Sequence, residues 1–506
     1  MIKFSYFAFV LFLLGSCSRS GNEANKFRLL PIEHAILHDT ASFFYIDFAK
    51  YPTSRNEMPV GVFDSGTGGL TVLDAIVRFD EYNNEFHQRG GDGLADFARE
   101  DFIYLADQAN MPYGNYHATG KTDLLQEHII KDFQFLLSDR YYTNSADEVL
   151  KRKRPVKAIV VACNTATAYG YEHGADFIEK TGIDIPVIGV INAAVSGTLD
   201  KFGQQENGAI GVFATVGTIA SEGYERTLRE MLSQSGYGGR IQIVNQGGHG
   251  LAEAVDGEID YINREITAPR DFYRGPALDN EVHRIERELL PVYNFDFSNN
   301  HMLCDTENAD DCRVLQINSA ENYIRYHLVT LLENLKNRDD PQPLKALILG
   351  CTHYPYVRKE IEMVLAELRD LHDVDGETHR YRDLISEKVH IIDPAVYVAK
   401  ELYASLSERQ LFNRDGNMVS GSEFYISVPN KRNQNVRLDS VGRFTYDYKY
   451  GRMAGDIQEY TRVVPFDKGN VSQETSHRFK QTIPDTYHLI DNFMFNQQKT
   501  TANDRN

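Results

Sequence analysis

The sequence predicts an α/β fold, and three observations support that prediction. Short apolar, β-branched runs alternate with longer stretches whose apolar residues recur at helical spacing, as in proteins with parallel sheets. Two of these runs, 158–162 and 346–349, are followed directly by Cys163 and by Gly350-Cys351. The chain of 506 residues is long for one domain and large enough to bury a sizeable core. Since open α/β sheets bind ligands beyond the carboxyl ends of their strands, both thiols are expected at a ligand-binding edge.

The order of the predicted elements follows the apolar pattern. Strands are predicted at 60–63, 102–105, 156–162, 187–191, 208–213, 241–245, 346–349 and 390–392. Helices are predicted at 70–79, 121–137, 219–234 and 356–371. The polar segment 257–343 contains a helix-like stretch at 320–335, so we interpret it as an ordered insertion. Beyond residue 408, the stretches 423–429 and 435–450 alternate aromatic residues with Thr and Val, which predicts a small β-rich C-terminal appendix.

The N-terminus has the features of an export signal. An apolar stretch at 7–14 is too short to span a bilayer but has the length of a signal-peptide core. It ends in Leu14-Gly15-Ser16-Cys17, which resembles the lipobox of bacterial lipoproteins, where the cysteine is acylated and becomes the first residue of the mature protein. The alternative is an ordinary secretory signal with an incidental cysteine. We expect an exported, membrane-anchored lipoprotein, periplasmic or on the outer membrane, with residues 18–57 as tether and lead-in.

The charge balance argues against nucleic acid as a partner. The formal net charge is −19, whereas binding to nucleic acid needs a basic face that displaces counterions. The only dense basic run, 151–154, precedes a predicted strand, and we interpret it as a solvated loop.

Two further cysteines, Cys304 and Cys312, lie eight positions apart in the polar insertion. In an oxidising compartment they could close a small disulfide loop. The alternative is a pair of free surface thiols, which would be unusual outside the cytoplasm.

Three short motifs carry the chemistry. The first strand ends in Asp64-Ser65-Gly66-Thr67-Gly68-Gly69, a tight turn that leads into a helix N-terminus and suits a bound carboxylate or phosphate. It has neither GxGxxG spacing nor a P-loop lysine, so a nucleotide cofactor is not expected. The other two motifs are Ala162-Cys163-Asn164-Thr165-Ala166-Thr167 and Gly350-Cys351-Thr352-His353-Tyr354-Pro355.

Together with Pro112-Tyr113-Gly114, these motifs resemble glutamate racemase, the cofactor-independent enzyme of the aspartate/glutamate racemase superfamily. The resemblance covers about 58–255 and 344–406. It implies two similar parallel-sheet lobes that close on a cleft, the first formed by 58–195 plus 386–408 and the second by 196–385 with the insertion 257–343. It also implies an amino-acid substrate, no cofactor and no metal, and it allows a homodimer.

The resemblance assigns roles by position. Cys163 would exchange a proton with D-glutamate and Cys351 with L-glutamate, and Asp64 and His353 would assist them. The substrate contacts would be Ser65, Tyr113, Gly114, Asn164, Thr165 and Thr352, with Thr215 and Thr218 as further pocket residues. Taken singly, Asp64 could cap a turn, His353 could be structural and Tyr113 could be an ordinary loop aromatic.

Two other functions stay open. One is racemisation of a different amino acid such as aspartate, because the segment 245–250 differs from the proline-containing turn that the family usually has there. The other is a non-catalytic amino-acid-binding lipoprotein. A binding protein has no need of two thiols, so the pair Cys163 and Cys351 favours an enzyme.

Overall fold

The computed structural model describes residues 28–146, 150–306, 311–373, 376, 378–413, 421–440 and 442–503. The predicted signal peptide with Cys17 and the polar tether up to residue 26 lie outside these residues. No helix in the described ranges is long and apolar enough to cross a bilayer.

The described strands and helices alternate along the chain, as predicted for an α/β protein. The strands are β1 Val60–Asp64, β2 Phe102–Ala106, β3 Arg140–Tyr142, β4 Leu150–Arg152, β5 Ala158–Val161, β6 Val187–Gly189, β7 Gly208–Ala214, β8 Ile241–Gly247, β9 Met302–Cys304, β10 Leu315–Ile317, β11 Leu344–Gly350, β12 Ile385–Ile392, β13 Glu423–Pro429 and β14 Thr461–Pro465. The helices are α1 Pro31–Leu37, α2 Leu70–Val77, α3 Gly114–Ala118, α4 Thr122–Leu137, α5 Asn164–Thr181, α6 Val190–Leu199, α7 Val216–Ala220, α8 Gly223–Gln234, α9 Leu251–Asp256, α10 Leu290–Tyr293, α11 Ala320–Lys336, α12 Arg358–Asp370, α13 Pro394–Glu408, α14 Tyr446–Gly451, α15 Gln473–Thr482 and α16 Pro484–Asn503.

Two sheets form the framework of the molecule. The first has the order β14-β13-β2-β1-β5-β6, and only β14 runs antiparallel to its neighbour. The second has the order β12-β11-β7-β8 and is entirely parallel. Strands β1 and β5 are buried along their whole length, which explains why their sequences are continuously apolar instead of alternating.

One predicted lobe boundary is wrong. The segment from residue 386 onward is predicted in the first lobe, but β12 pairs in parallel with β11 in the second sheet, with Ala346 opposite His390. The chain returns to the first lobe only with α13, which packs against α2 and α6. Apolar periodicity identifies a strand but carries no information about which sheet that strand joins.

The insertion is ordered and contributes to the second lobe. In helix α11 the hydroxyl of Ser319 accepts a hydrogen bond from the N–H of Asn322 at 3.2 Å, which caps the helix N-terminus. Ile324, Leu328 and Leu335 are fully buried at helical spacing, so one face of α11 enters the second core. Cys304 and Cys312 form a disulfide next to the β9–β10 pair.

The C-terminal segment is part of the first lobe, because β13 pairs with β2 and β14 pairs with β13. The predicted β elements beyond residue 408 are therefore present in part: β13 coincides with the predicted stretch 423–429, whereas β14 lies outside both predicted stretches. The strand expected at 435–450 is absent from the described residues, since Tyr446–Gly451 is helical and Thr445 caps it by accepting from the N–H of Tyr448 at 3.3 Å. Helices α15 and α16 complete the segment.

The basic run 151–154 is not a solvated loop. Lys153 is buried, and its ammonium group donates to the carbonyl of Ser138 at 2.6 Å and to the carbonyl of Leu136 at 3.1 Å. Burial lowers the pKa of Lys153 to about 7. Arg154 pairs with Asp101 at 2.7 Å. Lys153 and Arg154 therefore join secondary-structure elements, whereas the side chain of Arg152 is 79% exposed and pairs with Asp139.

Candidate active site

The first-lobe half of the site is formed at the carboxyl ends of β1 and β5, which are neighbours in the sheet. Cys163 is the N-cap residue of α5, and its sulfur accepts from the N–H of Ala166 at 3.4 Å. The thiol donates to the hydroxyl of Ser65, with the two heavy atoms 3.6 Å apart. A parallel sheet therefore places Cys163 against the turn that follows β1.

Asp64 lies in the same half and closes the glycine-rich turn. Its Oδ2 accepts from the N–H of Gly69 at 2.9 Å. A Cβ at Gly69 would lie 2.7 Å from Cβ of Asp64 and 2.9 Å from Cβ of Ala162, so only glycine fits there. The turn-capping interpretation of Asp64 is therefore correct, and it leaves Oδ1 of the carboxylate free of that hydrogen bond.

The surroundings of Cys163 disfavour its thiolate form. Burial raises the pKa of the thiol most, and the nearby Asp64 carboxylate raises it further, to about 12. Hydrogen bonds from Ala166 and Ser65 offset this only in part. In this structure Cys163 is consequently a protonated thiol near neutral pH.

The second-lobe half lies at the end of β11. Cys351 follows this strand directly, and its sulfur is 3.7 Å from Nδ1 of His353. Nε2 of the same ring is 3.2 Å from Oδ2 of Asp256, the last residue of α9. The imidazole therefore joins a thiol on one side to a carboxylate on the other.

His353 carries a positive charge near neutral pH. Burial acts to lower its pKa, but the hydrogen bonds to Asp256 and Cys351 outweigh that effect and raise the pKa to about 10. The pKa of Asp256 is lowered: burial acts to raise it, but the hydrogen bond and charge of His353 outweigh burial. The pair is an imidazolium–carboxylate ion pair that faces Cys351.

The two halves meet at Asn164 and Gly68. Nδ2 of Asn164 donates to the carbonyl of Gly350 at 3.4 Å, and Oδ1 accepts from the hydroxyl of Tyr224 at 2.9 Å. The Cβ position of Gly68 lies 3.5 Å from Oδ2 of Asp64 and 3.6 Å from Oγ1 of Thr352. The motif that contains Cys163 and the motif that contains Cys351 therefore contact each other across the two lobes.

A cavity opens between the lobes on the Cys351 side. Its lining comprises Cys351, Thr352, Asn164 and Asp393, together with Asp74, Arg78, Tyr356, Thr482, Ile483, Ala162 after β5, and neighbouring residues of α2, α6, β11 and α13. Cys163 and Asp64 are not among the described lining residues, so the cavity reaches only one of the two thiols in this state.

The side chain of Tyr113 points away from both cysteines. Its hydroxyl lies between Asp107 and Asp132, at 2.6 and 2.7 Å from an oxygen of each. Burial, followed by the nearby Asp107 charge, raises the pKa of Asp132 well above its usual range, which favours the protonated carboxyl. The hydroxyl of Tyr113 is therefore not placed to contact a substrate in this state, and Gly114 begins α3.

The four predicted threonines do not all lie beside the two cysteines. Thr352 lies next to His353, with its hydroxyl 3.4 Å from Nδ1, and half-buried Thr165 is the second residue of α5. Thr215 follows β7 and caps α7 by accepting from the N–H of Thr218 at 3.2 Å. Neither Thr215 nor Thr218 has a recorded hydrogen bond to either cysteine motif.

Sequence reasoning missed Asp256 and Tyr224, which hold His353 and Asn164. Asp256 ends a short helix that is distant from both cysteine motifs along the sequence, and no local sequence pattern marks it. Asp393 was also missed, although it follows β12 directly, just as Cys351 follows β11. A carboxylate at a strand end was the available signal for Asp393. Among the described residues, no group of three or more His, Cys, Asp or Glu is arranged to hold a metal ion.

Comparison with known proteins places this arrangement in a family. No protein-family model matches the chain. A glutamate racemase of Chlorobaculum tepidum is 32% identical over 384 residues, covering 76% of this chain and 92% of that protein. A glutamate racemase of Clostridium novyi is 25% identical over 320 residues, covering 63% of this chain and 79% of that protein. Among solved structures, the glutamate racemase of Francisella tularensis in complex with D-glutamate covers 79% of this chain and 95% of its own, at 20% identity and a TM-score of 0.39.

The fold and the sequence relatives define the class: an α/β isomerase with one mixed, mostly parallel sheet and one parallel sheet. The chain belongs to the glutamate racemase family.

Proposed function

We propose that this protein interconverts L- and D-glutamate by moving the α-proton between two cysteines. The observation that carries the proposal is the meeting of the two thiol motifs, through Asn164 and the carbonyl of Gly350, at facing strand ends of two lobes. Racemisation needs an acid and a base on opposite faces of one carbon, and a cleft between two lobes provides opposite faces. Membership of the family and its relatives' activity support glutamate as the substrate.

The protonation states suit such a reaction. The imidazolium of His353 can stabilise negative charge on the sulfur of Cys351, whereas Cys163 keeps its proton. In the L-to-D direction the thiolate of Cys351 removes the α-proton, and Cys163 delivers its own proton to the opposite face. The Cα–H bond broken on one face is replaced by one on the other, and the thiolate has moved from Cys351 to Cys163. The reverse reaction uses the same atoms in the opposite sense.

Substrate binding would rest on neutral polar groups. The hydroxyls of Ser65, Thr165 and Thr352, the amide of Asn164 and the main-chain N–H groups at the start of α3 can hold two carboxylates. A substrate ammonium group close to Asp64 would offset the charge that disfavours a thiolate at Cys163. Substrate binding would thus prepare Cys163 for its turn as base.

The decisive experiment is incubation of the purified protein with each enantiomer of glutamate in D₂O. Circular dichroism that decays to zero from both sides, with deuterium at Cα, is the expected result. Cys163→Ser and Cys351→Ser should each lower the rate by a factor of at least about 10² to 10⁴, the usual contribution of a positioned acid or base. If only aspartate is racemised, the proposed reaction stands and the substrate is aspartate instead of glutamate. If both acidic amino acids stay optically pure and undeuterated, the protein is not such a racemase, and retained affinity would identify a binding protein.

We further propose that the mature protein is exported and anchored through lipid on Cys17. The Cys304–Cys312 disulfide supports this, because disulfides persist in oxidising compartments. Labelled palmitate should enter the full-length protein, and Cys17→Ser should lose both the label and the membrane fraction. Equal labelling of the Cys17→Ser variant would contradict the anchor.

Light scattering on the same preparation decides whether the protein is a homodimer.

A further inference from the structure

The C-terminal strap, defined here as residues 473–494, covers the mouth of the cavity between the lobes. It comprises α15 and the first part of α16. Thr482 and Ile483, at the junction of these helices, line the cavity together with Cys351. Phe479 and Ile483 are buried in the first core, so the strap is packed against the molecule.

The strap is attached to both lobes. On the first-lobe side, the N–H of Thr486 donates to Oδ1 of the buried Asp74 on α2 at 3.1 Å. On the second-lobe side, Nη1 of Arg478 is 3.3 Å from Oδ2 of Asp256 on α9. This is the same carboxylate oxygen that holds Nε2 of His353 at 3.2 Å.

From this chain of contacts we infer that Arg478 is a positioning residue for the Cys351 half of the site. It fixes the Asp256 carboxylate, and Asp256 in turn fixes the His353 ring against the sulfur of Cys351. The inference rests on the proposed function for its effect on turnover, but the contacts it depends on are independent of the substrate.

The geometry explains why a second cation is needed at Asp256. This residue ends a six-residue helix, and its side chain is partly exposed. A single hydrogen bond to His353 would leave the carboxylate free to rotate toward solvent. Arg478 contacts the carboxylate from a separate, packed helix, so its contribution is to orientation. Since the side chain of Arg478 is 47% exposed, the effect is modest, as for other solvent-screened ion pairs.

The test compares four variants near neutral pH: Arg478→Gln, Arg478→Lys, Asp256→Asn and the double variant Asp256→Asn/Arg478→Gln. Arg478→Gln should lower kcat about three- to tenfold and leave KM within about twofold, because Arg478 does not line the cavity. Arg478→Lys should recover most of the loss. The double variant should be no slower than Asp256→Asn, because residues that act through one another are not additive.

The matched control is Lys480→Gln, which removes an exposed charge from the same helix with no recorded contact to Asp256. It should keep wild-type activity, and thermal unfolding of all variants should show that the strap is still folded. Equal kcat in Arg478→Gln and wild type would overturn the inference. So would a double variant whose loss equals the product of the two single losses, since that pattern indicates a merely structural strap.

A second readout separates this inference from the proposed function. The rate of alkylation of Cys351 by iodoacetamide, followed by peptide mass spectrometry, reports on the Cys351–His353 pair without any turnover. Arg478→Gln and Asp256→Asn should both slow it, and their combination should slow it no further than Asp256→Asn alone. If the wild type does not racemise glutamate but this pattern holds, the function fails and the role of Arg478 stands. If alkylation is unchanged in Arg478→Gln, the role of Arg478 is rejected whatever the activity.

Discussion

The two halves of the candidate active site surround similar thiols with opposite charges. Cys163 lies near the Asp64 carboxylate, and its pKa is raised to about 12 by burial and by that charge. Cys351 lies 3.7 Å from a ring whose pKa is raised to about 10 despite burial, because Asp256 and Cys351 hydrogen bond to it. This difference matches what the proposed two-base reaction requires, namely a protonated thiol on one face of the substrate and a cation beside the thiol on the other face.

This asymmetry cannot appear as a preference for one direction. L- and D-glutamate have equal free energies, so kcat/KM must be the same from either side in every variant. The difference between the halves must instead be measured on the thiols themselves. Turnover is therefore informative only together with a property of a single residue in one half.

The largest effect is expected for His353→Asn. Without the imidazolium, the sulfur of Cys351 loses its cationic partner, and racemisation should fall about 10² to 10³-fold. Alkylation of Cys351 should slow, whereas the titration of Cys163, followed by thiolate absorbance in a Cys351→Ser background, should not move. If His353→Asn also shifts the titration of Cys163 strongly, the two thiols are not electrostatically independent. The contrast between the two halves would then be wrong.

Asp64→Asn should separate turnover from thiol acidity in the first-lobe half. We expect about 100-fold slower racemisation, because a polar group that assists proton transfer is lost. The thiol of Cys163 should nevertheless titrate at lower pH, because the removed charge raises its pKa in the wild type.

Asp393→Asn is the control for Asp64→Asn. Asp393 also follows a strand directly and caps a helix, and asparagine can take over that cap. Asp393 is not among the groups that mainly shift the pKa of Cys163, so the control should leave the Cys163 titration nearly unchanged. An unchanged titration in Asp64→Asn as well would show that Asp64 exerts no electrostatic effect on the thiol.

The strands and motifs of both halves could be predicted from the sequence far better than the residues and strands that contact them. Strands β1, β5 and β11 were predictable because buried parallel strands are continuous apolar runs, and the motifs after them placed Asp64, Cys163 and Cys351 at strand ends. Asp256 was not predictable, since it reaches His353 only through the packing of α9 against the loop after β11. The positions of β12 and β13 in their sheets were missed for a related reason, because strand pairing depends on long-range packing that periodicity does not encode.

Asp256→Asn should narrow the pH range over which the protein is active, through its effect on the second-lobe half. Asp256 raises the pKa of His353, so without it the ring loses its proton at a lower pH, and the alkaline limb of the kcat profile should move toward neutral. Near neutral pH the loss should be about tenfold. Glu258→Gln, which removes a neighbouring carboxylate, is the control and should keep the wild-type limb.

The raised pKa of His353 also predicts that the free energy of unfolding changes with pH. A group whose pKa is raised by folding contributes stability that is complete below its unfolded value of about 6.5 and is lost as the pH rises through the folded value. For His353 that value is about 10. The advantage of the wild type over Asp256→Asn in free energy of unfolding should therefore shrink between about pH 6.5 and 10. Denaturant titrations at several pH values measure it, and a constant difference would contradict the ion pair.

The smallest effect on turnover is expected for Tyr113→Phe, which tests whether this tyrosine belongs to either half. Its hydroxyl is held between Asp107 and Asp132 inside the first core and does not face the cleft. Removing it should leave kcat and KM within about twofold but lower the free energy of unfolding by about 1–3 kcal/mol, because two buried carboxyl groups lose a shared partner. A raised KM with unchanged stability would instead place the hydroxyl on the substrate, which requires the loop before α3 to rearrange when the lobes close.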